Sequence, residues 1–228
     1  MKGNPRTMTE PSAHAVIFDL DGVLVETEEL HYRSWKEVAD AEDIPLDRAI
    51  MRRLRGIGRQ QSLDIILDRA ARPYTEREKE SLAKRKNERY RAMIEAMTPA
   101  DIVPGAVDLL RALRRRGIPI AVGSSSRNAR LILEHLQLAD LFDAIVDGNE
   151  IAASKPDPAL FQRCAELLGV PAERCIVVED AEAGIDAARR AGMTPIGIGH
   201  PVELPGAARV FARLEDVTIV SLLEPAHS

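Results

Sequence analysis

Two aspartates one residue apart, Asp19 and Asp21, close the apolar run of the stretch VIFDLDGV. Side chains two apart in an extended chain start on the same side, and two ionised carboxylates held together repel unless a cation relieves them. Three other groups of reactive side chains follow apolar runs further along: Ser124, Ser125 and Ser126 in GSSSRN, Lys155 in ASKPDP, and the pair Glu179 and Asp180. Oxygen-only ligands at Asp19, Asp180 and Glu179 suit a hard Mg²⁺ ion, which shares its coordination with water and substrate phosphate oxygens. Serine hydroxyls and backbone N–H groups at a helix start cradle an anion, and Lys155 adds a point charge beside them. A carboxylate nucleophile, Mg²⁺, hydroxyl, lysine and amide nest together describe phosphoryl transfer through an aspartyl-phosphate. Asp19 is read as the nucleophile, Asp21 as the general acid and base, and Ser124 and Lys155 as their catalytic partners. Alone, each piece has a plainer use as a turn, a helix cap or a solvated cation, and it is their placement at successive strand ends that argues for a site.

The elements that would position these groups are legible from periodicity. Short β-branched runs span residues 14–18, 118–122, 144–146, 175–178 and 195–198, with a weaker one at 217–220. From residue 105 onward helical patterns separate them, at 106–116, 128–138 and 158–168, the last with Asp157 as a cap. Alternating strands and helices imply an α/β fold, a doubly wound parallel sheet with a Rossmann-like core, and ligands bind such sheets beyond the carboxyl ends of the strands. About a hundred residues separate the first two strand-like runs. A crossover needs a dozen or more. The excess reads as helices at 28–41, 47–54, 60–71 and 76–97, hence an inserted α-helical cap domain at residues 27–97 on a core formed by 14–26 and 98–228. Hinges are expected at Glu26–Thr27 and around Thr98–Pro99 and Val103–Pro104, and residues 1–13 are read as a flexible tail.

Composition narrows the partners. A chain of 228 residues that is 45% hydrophobic can bury a full core, and a net charge of −5 offers no basic field for nucleic acid. No long uncharged apolar stretch points to a membrane or to a signal peptide. Two cysteines, Cys164 and Cys175, fit no metal spacing and read as reduced thiols in a cytoplasmic protein.

In these residues the chain resembles the haloacid dehalogenase superfamily of phosphotransferases. The superfamily's signature is DxDGV after the first strand, Ser or Thr after the second, Lys after a third and an acidic pair after the fourth; here it reads Asp19–Val23, Ser124, Ser154-Lys155-Pro156 and Glu179-Asp180. The resemblance spans nearly all of residues 14–200, and the inserted helices are similar to the C1-type cap. It also implies that the Asp21 carbonyl joins the Mg²⁺ ligands. The cap is most similar to that of mutases that move a phosphate between the 1- and 6-positions of β-glucose through a bisphosphate. The stretches ETEELHYRSW, LRGIGRQQSLDIIL and AKRKN carry that likeness, and it implies substrate or hinge roles for Thr27, His31, Gly56, Arg59, Ser62 and Lys86. Arg59 would grip the distal phosphate, while Ser125, Ser126, Arg127 and Asn128 would line the cradle from the core. Lys86, Tyr90, Met93 and Met97 recur at helical spacing, placing one cation on an apolar face. The chain departs from the mutase pattern at Gly58 for serine, Ser125 for alanine, Arg127 for lysine and Glu26 for aspartate.

The expected function is therefore that sugar-phosphate mutase activity, by a monomer acting on a small phosphorylated sugar. A Mg²⁺-dependent phosphatase of small molecules would use the same core and let water finish the reaction. A receiver-like signalling module also gathers Asp, Ser or Thr and Lys at strand ends, but needs only about 120 residues and no lid.

Overall fold

The polypeptide, a computed structural model that describes residues 14–223, builds its sheet from six short strands. These are β1 (Ala15–Phe18), β2 (Ile120–Gly123), β3 (Ala144–Val146), β4 (Cys175–Glu179), β5 (Thr194–Ile198) and β6 (Arg209–Phe211). All neighbours are parallel, in the order β3-β2-β1-β4-β5-β6. The expected tail, residues 1–13, lies outside the described residues.

Alternation along β1 explains the two layers of the core. Val16 and Phe18 pack on one face with Ile120, Val122, Ile176 and Val178, under helices α5 (Ala106–Arg115) and α6 (Ala129–His135). Ala15 and Ile17 pack on the other face with Ala121, Val146 and Val177, under α7 (Ala159–Leu168) and α8 (Glu182–Arg190). Strands covered on both faces need apolar side chains at every position, which is why these segments read as continuous runs. Both cysteines are free and buried there. The chain grows outward from β1 to β2 and β3, then crosses to β4 on the opposite side. The strand order thus reverses between β1 and β4, where an open sheet leaves a crevice for ligand.

Between β1 and α5 the chain forms four helices: α1 (Glu28–Ala41), α2 (Arg48–Arg53), α3 (Arg59–Leu67) and α4 (Glu76–Ile94). They enclose a separate apolar cluster that includes Trp35, Ile50, Leu63, Ile66 and Leu82. Asp47 caps α2 by accepting from the Ile50 amide, and Thr75 and Glu78 form a capping box at α4. The two connections to the sheet run side by side. Val25 bridges Ile102, the Glu26 amide donates to the Asp101 carbonyl at 2.8 Å and the Val103 amide to the Leu24 carbonyl at 3.0 Å.

The weak strand expected at 217–220 is not one. A helix, α9 (Ile219–Leu223), starts there with the Thr218 hydroxyl accepting from the Ser221 amide at 3.0 Å, and Ile219 and Leu222, three apart, both face the core. Packing of that helical face overrides the β-branched propensity. The sixth strand is Arg209–Phe211, three half-buried residues at the sheet edge. Among the described residues no helix is long and apolar enough to cross a membrane.

Candidate active site

Asp19 is the first residue beyond β1, and its amide donates to the Val178 carbonyl at 2.9 Å, which aligns it with Glu179 at the end of β4. Lys155, in the loop between β3 and α7, is fully buried and donates from Nζ to Asp19 Oδ1 and Glu179 Oε1, at 2.5 Å each. Burial works against its charge, but Asp19 and Glu179 outweigh that and hold the ammonium above its ordinary lysine value. Glu179 Oε2 accepts from the Asp180 and Ala181 amides, both at 3.0 Å.

Burial pushes Asp19 well above the ordinary carboxylate range despite Lys155, and Asp180, crowded by Glu179 and Asp19, is raised likewise. One oxygen each of Asp19, Glu179 and Asp180 lies within 4.8 Å of the others. Three crowded carboxylates with only oxygen to offer fit a hard divalent cation, whose charge would relieve their repulsion. Gly22 makes the approach of Asp180 possible: its φ is +83°, and a Cβ there would run into the Asp180 carboxylate.

Asp21 faces a different set of partners. Thr27 donates to its Oδ1 at 2.5 Å, His31 Nε2 lies 3.4 Å from the same oxygen, and Ser124 donates to Oδ2 at 3.3 Å. Burial would raise this carboxyl, but the bonds from His31 and Thr27 prevail and hold it at about 2. Behind His31, Lys86 Nζ donates to Nδ1 at 3.1 Å, which leaves Nε2–H to donate to Asp21. His31 is lowered by burial and by the Lys86 charge, so the ring stays neutral. Tyr90 stacks on His31 with centroids 4.3 Å apart, and the Lys86 ammonium sits 4.2 Å from the Tyr90 centroid. The Tyr90 hydroxyl, buried near Thr27 and Asp21, makes no hydrogen bond of good geometry among the described residues.

These groups meet at a cavity of about 520 Å³ between the sheet and the inserted helices. All ten residues assigned to substrate from the sequence line it: Thr27, His31, Gly56, Arg59, Ser62, Lys86, Ser125, Ser126, Arg127 and Asn128. Asp19, Asp21 and Asp180 line it as well, while Ser124, Lys155 and Glu179 lie fully buried behind its wall. Arg59 opens α3, and its guanidinium is lowered by burial and by Arg127, which reaches across from the core. Two cations lining one cavity, one from the inserted helices and one from the sheet side, can hold an anion.

The three serines serve three destinations. Ser124 reaches Asp21 and accepts from the Ser126 amide at 3.1 Å; Ser126 accepts from the Asn128 amide at 3.2 Å; Ser125 donates across the cleft to the Gly56 carbonyl at 2.8 Å. Asn128 donates to Asn87 Oδ1 at 3.0 Å and Ser154 to Gln61 Oε1 at 3.0 Å, both again between sheet side and helices. The sequence reading missed Asn87 and Gln61. Tyr90 was noted only as part of an apolar face, and its ring belongs to the same network.

Residues 13–192 match the model of the haloacid dehalogenase-like hydrolase family, and the chain belongs to that family. Its relatives include both mutases and phosphatases. The chain is 45% identical over 212 residues to a β-phosphoglucomutase of Bacillus subtilis, covering 92% of this chain and 94% of that one. It is 32% identical over 185 residues to a fructose-1-phosphate phosphatase of Escherichia coli, covering 80% of this chain and 95% of the relative. A crystal structure of β-phosphoglucomutase from Clostridium difficile superposes with a TM-score of 0.87 at 37% identity, covering 90% of this chain and 93% of that one.

Proposed function

We propose that this enzyme is a β-phosphoglucomutase that interconverts β-glucose 1-phosphate and glucose 6-phosphate through an aspartyl-phosphate and a glucose bisphosphate. The observation that carries the reading is the Arg59 and Arg127 pair facing the cavity that also holds Asp19. A phosphatase needs one phosphate site, whereas a mutase must hold a second phosphate while the first reacts. The B. subtilis relative at 45% identity supports the same choice.

The side chains divide the chemistry as follows. With Asp19 phosphorylated, Asp21 Oδ takes the proton of the sugar 6-hydroxyl as that oxygen attacks phosphorus, and the bond from phosphorus to the Asp19 oxygen breaks. The bisphosphate formed turns end for end between the two anion positions. Asp19 then attacks the 1-phosphate, and Asp21 returns its proton to the departing sugar oxygen. Because Asp21 is held at about 2, it stands ready as a base for the first step. Lys155 fixes the Asp19 carboxylate and balances its charge. Asp19, Glu179 and Asp180, with the Asp21 carbonyl, would hold Mg²⁺, which supplies the positive charge that phosphoryl transfer requires. Arg59 would hold the distal phosphate, with Ser126, Arg127 and Asn128 around it.

A Mg²⁺-dependent sugar phosphatase is the second reading, favoured by the E. coli relative. Parallel assays separate the two. Glucose 6-phosphate formation from α- and β-glucose 1-phosphate, primed with a sugar bisphosphate, is followed beside free phosphate release. Isomerisation of the β-anomer should outpace hydrolysis. Phosphate release that outruns isomerisation with every sugar phosphate tried would sink the mutase reading and leave the phosphatase.

A further inference from the structure

We propose that Ser125 is a positioning residue whose hydroxyl latches the Arg59 loop to the core, and that this latch sets how the phosphorylated enzyme divides between sugar and water. The division between acceptors rests on the mutase reading; the latch itself does not.

The turn from Gly56 to Gly58 leads into Arg59 at the start of α3, and this turn and the first turn of the helix lie directly on the sheet side. Gly56 has φ +74°, and a Cβ there would lie 3.1 Å from the Ala181 Cβ; one at Gly58 would lie 3.1 Å from the Ser154 Cβ. With no side chains in the way, backbone meets core, and two hydroxyls fasten the contact: Ser125 to the Gly56 carbonyl at 2.8 Å and Ser154 to the Gln61 amide oxygen at 3.0 Å. Of the three serines in the run, Ser124 and Ser126 turn inward, and only Ser125 turns to the loop. Its bond differs from the Ser154 bond in ending on the main chain, one turn ahead of Arg59, so it fixes the path of the loop and not merely a side chain. When the helices swing away, the hydroxyl and the carbonyl are both hydrated, so the bond counts only for the closed form. Closure excludes water from an aspartyl-phosphate, and a weaker latch admits it.

The chain supplies its own reporter. Trp35 is the one tryptophan of the sequence, 2% exposed, and it lines the cavity. An acrylamide molecule reaches it when the cleft opens. One net hydrogen bond lost in the closed form shifts an open–closed equilibrium by roughly 2- to 10-fold. Ser125→Ala should therefore raise acrylamide quenching of Trp35 by about that factor, and should raise the ratio of phosphate release to isomerisation similarly. Ser125→Thr, which keeps the hydroxyl, should restore both. Quenching in Ser125→Ala equal to wild type, or a threonine variant that quenches like alanine while melting like wild type, overturns the latch. If the wild type isomerises no sugar, the mutase reading falls, and the quenching comparison still decides on Ser125.

Discussion

Asp19 and Asp21 sit two residues apart yet are held by opposite means. Lys155 and burial surround Asp19, whereas Thr27, His31 and Ser124 converge on Asp21. On the proposed mechanism, bond making falls to Asp19 and proton movement to Asp21. Asp19→Asn should abolish turnover and labelling by an acyl-phosphate while the protein still folds; a variant with substantial residual rate refutes the nucleophile. Asp21→Asn should slow turnover roughly 100- to 10,000-fold, the usual worth of a general acid–base group. Lys86 lends itself to a test by pH. Burial, with Arg59 beside it, lowers its ammonium to about 7 from the 10.5 of an unfolded lysine. Between those values the unfolded chain binds more protons than the native one, so this group makes stability rise with pH, by up to about 1.4 kcal/mol per pH unit. Below about 7 both states are charged and the contribution is flat. Lys86→Met removes the cost of burying the charge. Its melting temperature relative to wild type should be highest near neutral pH and should fall steadily toward alkaline pH. A difference that stays constant over that range contradicts the assignment.

At the scale of elements, Arg59 opens α3, which packs Leu63 and Ile66 among the inserted helices, and the glycine before it brings the turn onto the core. Arg59→Ala should lower kcat/KM for isomerisation roughly 10- to 100-fold, the worth of a charge-assisted contact to phosphate, and should lower hydrolysis of acetyl phosphate far less. Equal losses in the two assays would place Arg59 elsewhere in the mechanism. The elements themselves were largely readable because parallel strands are buried on both faces: β1, β2 and β4 each carry an apolar run that ends at or just before a reactive residue, and the run of β3 leads into the loop that holds Lys155. β6 escaped notice because Arg209–Phe211 is a half-buried edge strand opened by a charge, with no apolar run to mark it. Residues 217–220 misled by the opposite route, since β-branched side chains there serve a helical face. Within the site, strand ends announced Asp19, Ser124, Lys155 and Glu179. The bonds across the cleft did not announce themselves, because Ser125 and Gly56, Asn128 and Asn87, and Ser154 and Gln61 lie 69, 41 and 93 residues apart. Only the folded arrangement brings them together.

Over the whole molecule, the sheet and the inserted helices meet around a cavity; the helices hold a cluster of their own, the end of α4 packs Tyr90 and Ile94 into the core of the sheet, and the two connections run side by side at Val25 and Ile102. On the proposed mechanism the helices act as a lid whose closure trades water for the substrate. The proposed chemistry at the acidic end of the cavity calls for a divalent cation. A chelator should abolish turnover and added Mg²⁺ should restore it; full activity in metal-free protein would contradict that requirement. On the mutase reading, the phosphorylated enzyme prefers a sugar hydroxyl to water. Isotopically labelled acetyl phosphate should load Asp19, and a chase with saturating β-glucose 1-phosphate, quenched and separated, reads where the label goes. Most of it should leave on glucose 1,6-bisphosphate and then on glucose 6-phosphate. Label that appears mainly as inorganic phosphate, with the sugar present at saturation, would contradict the account.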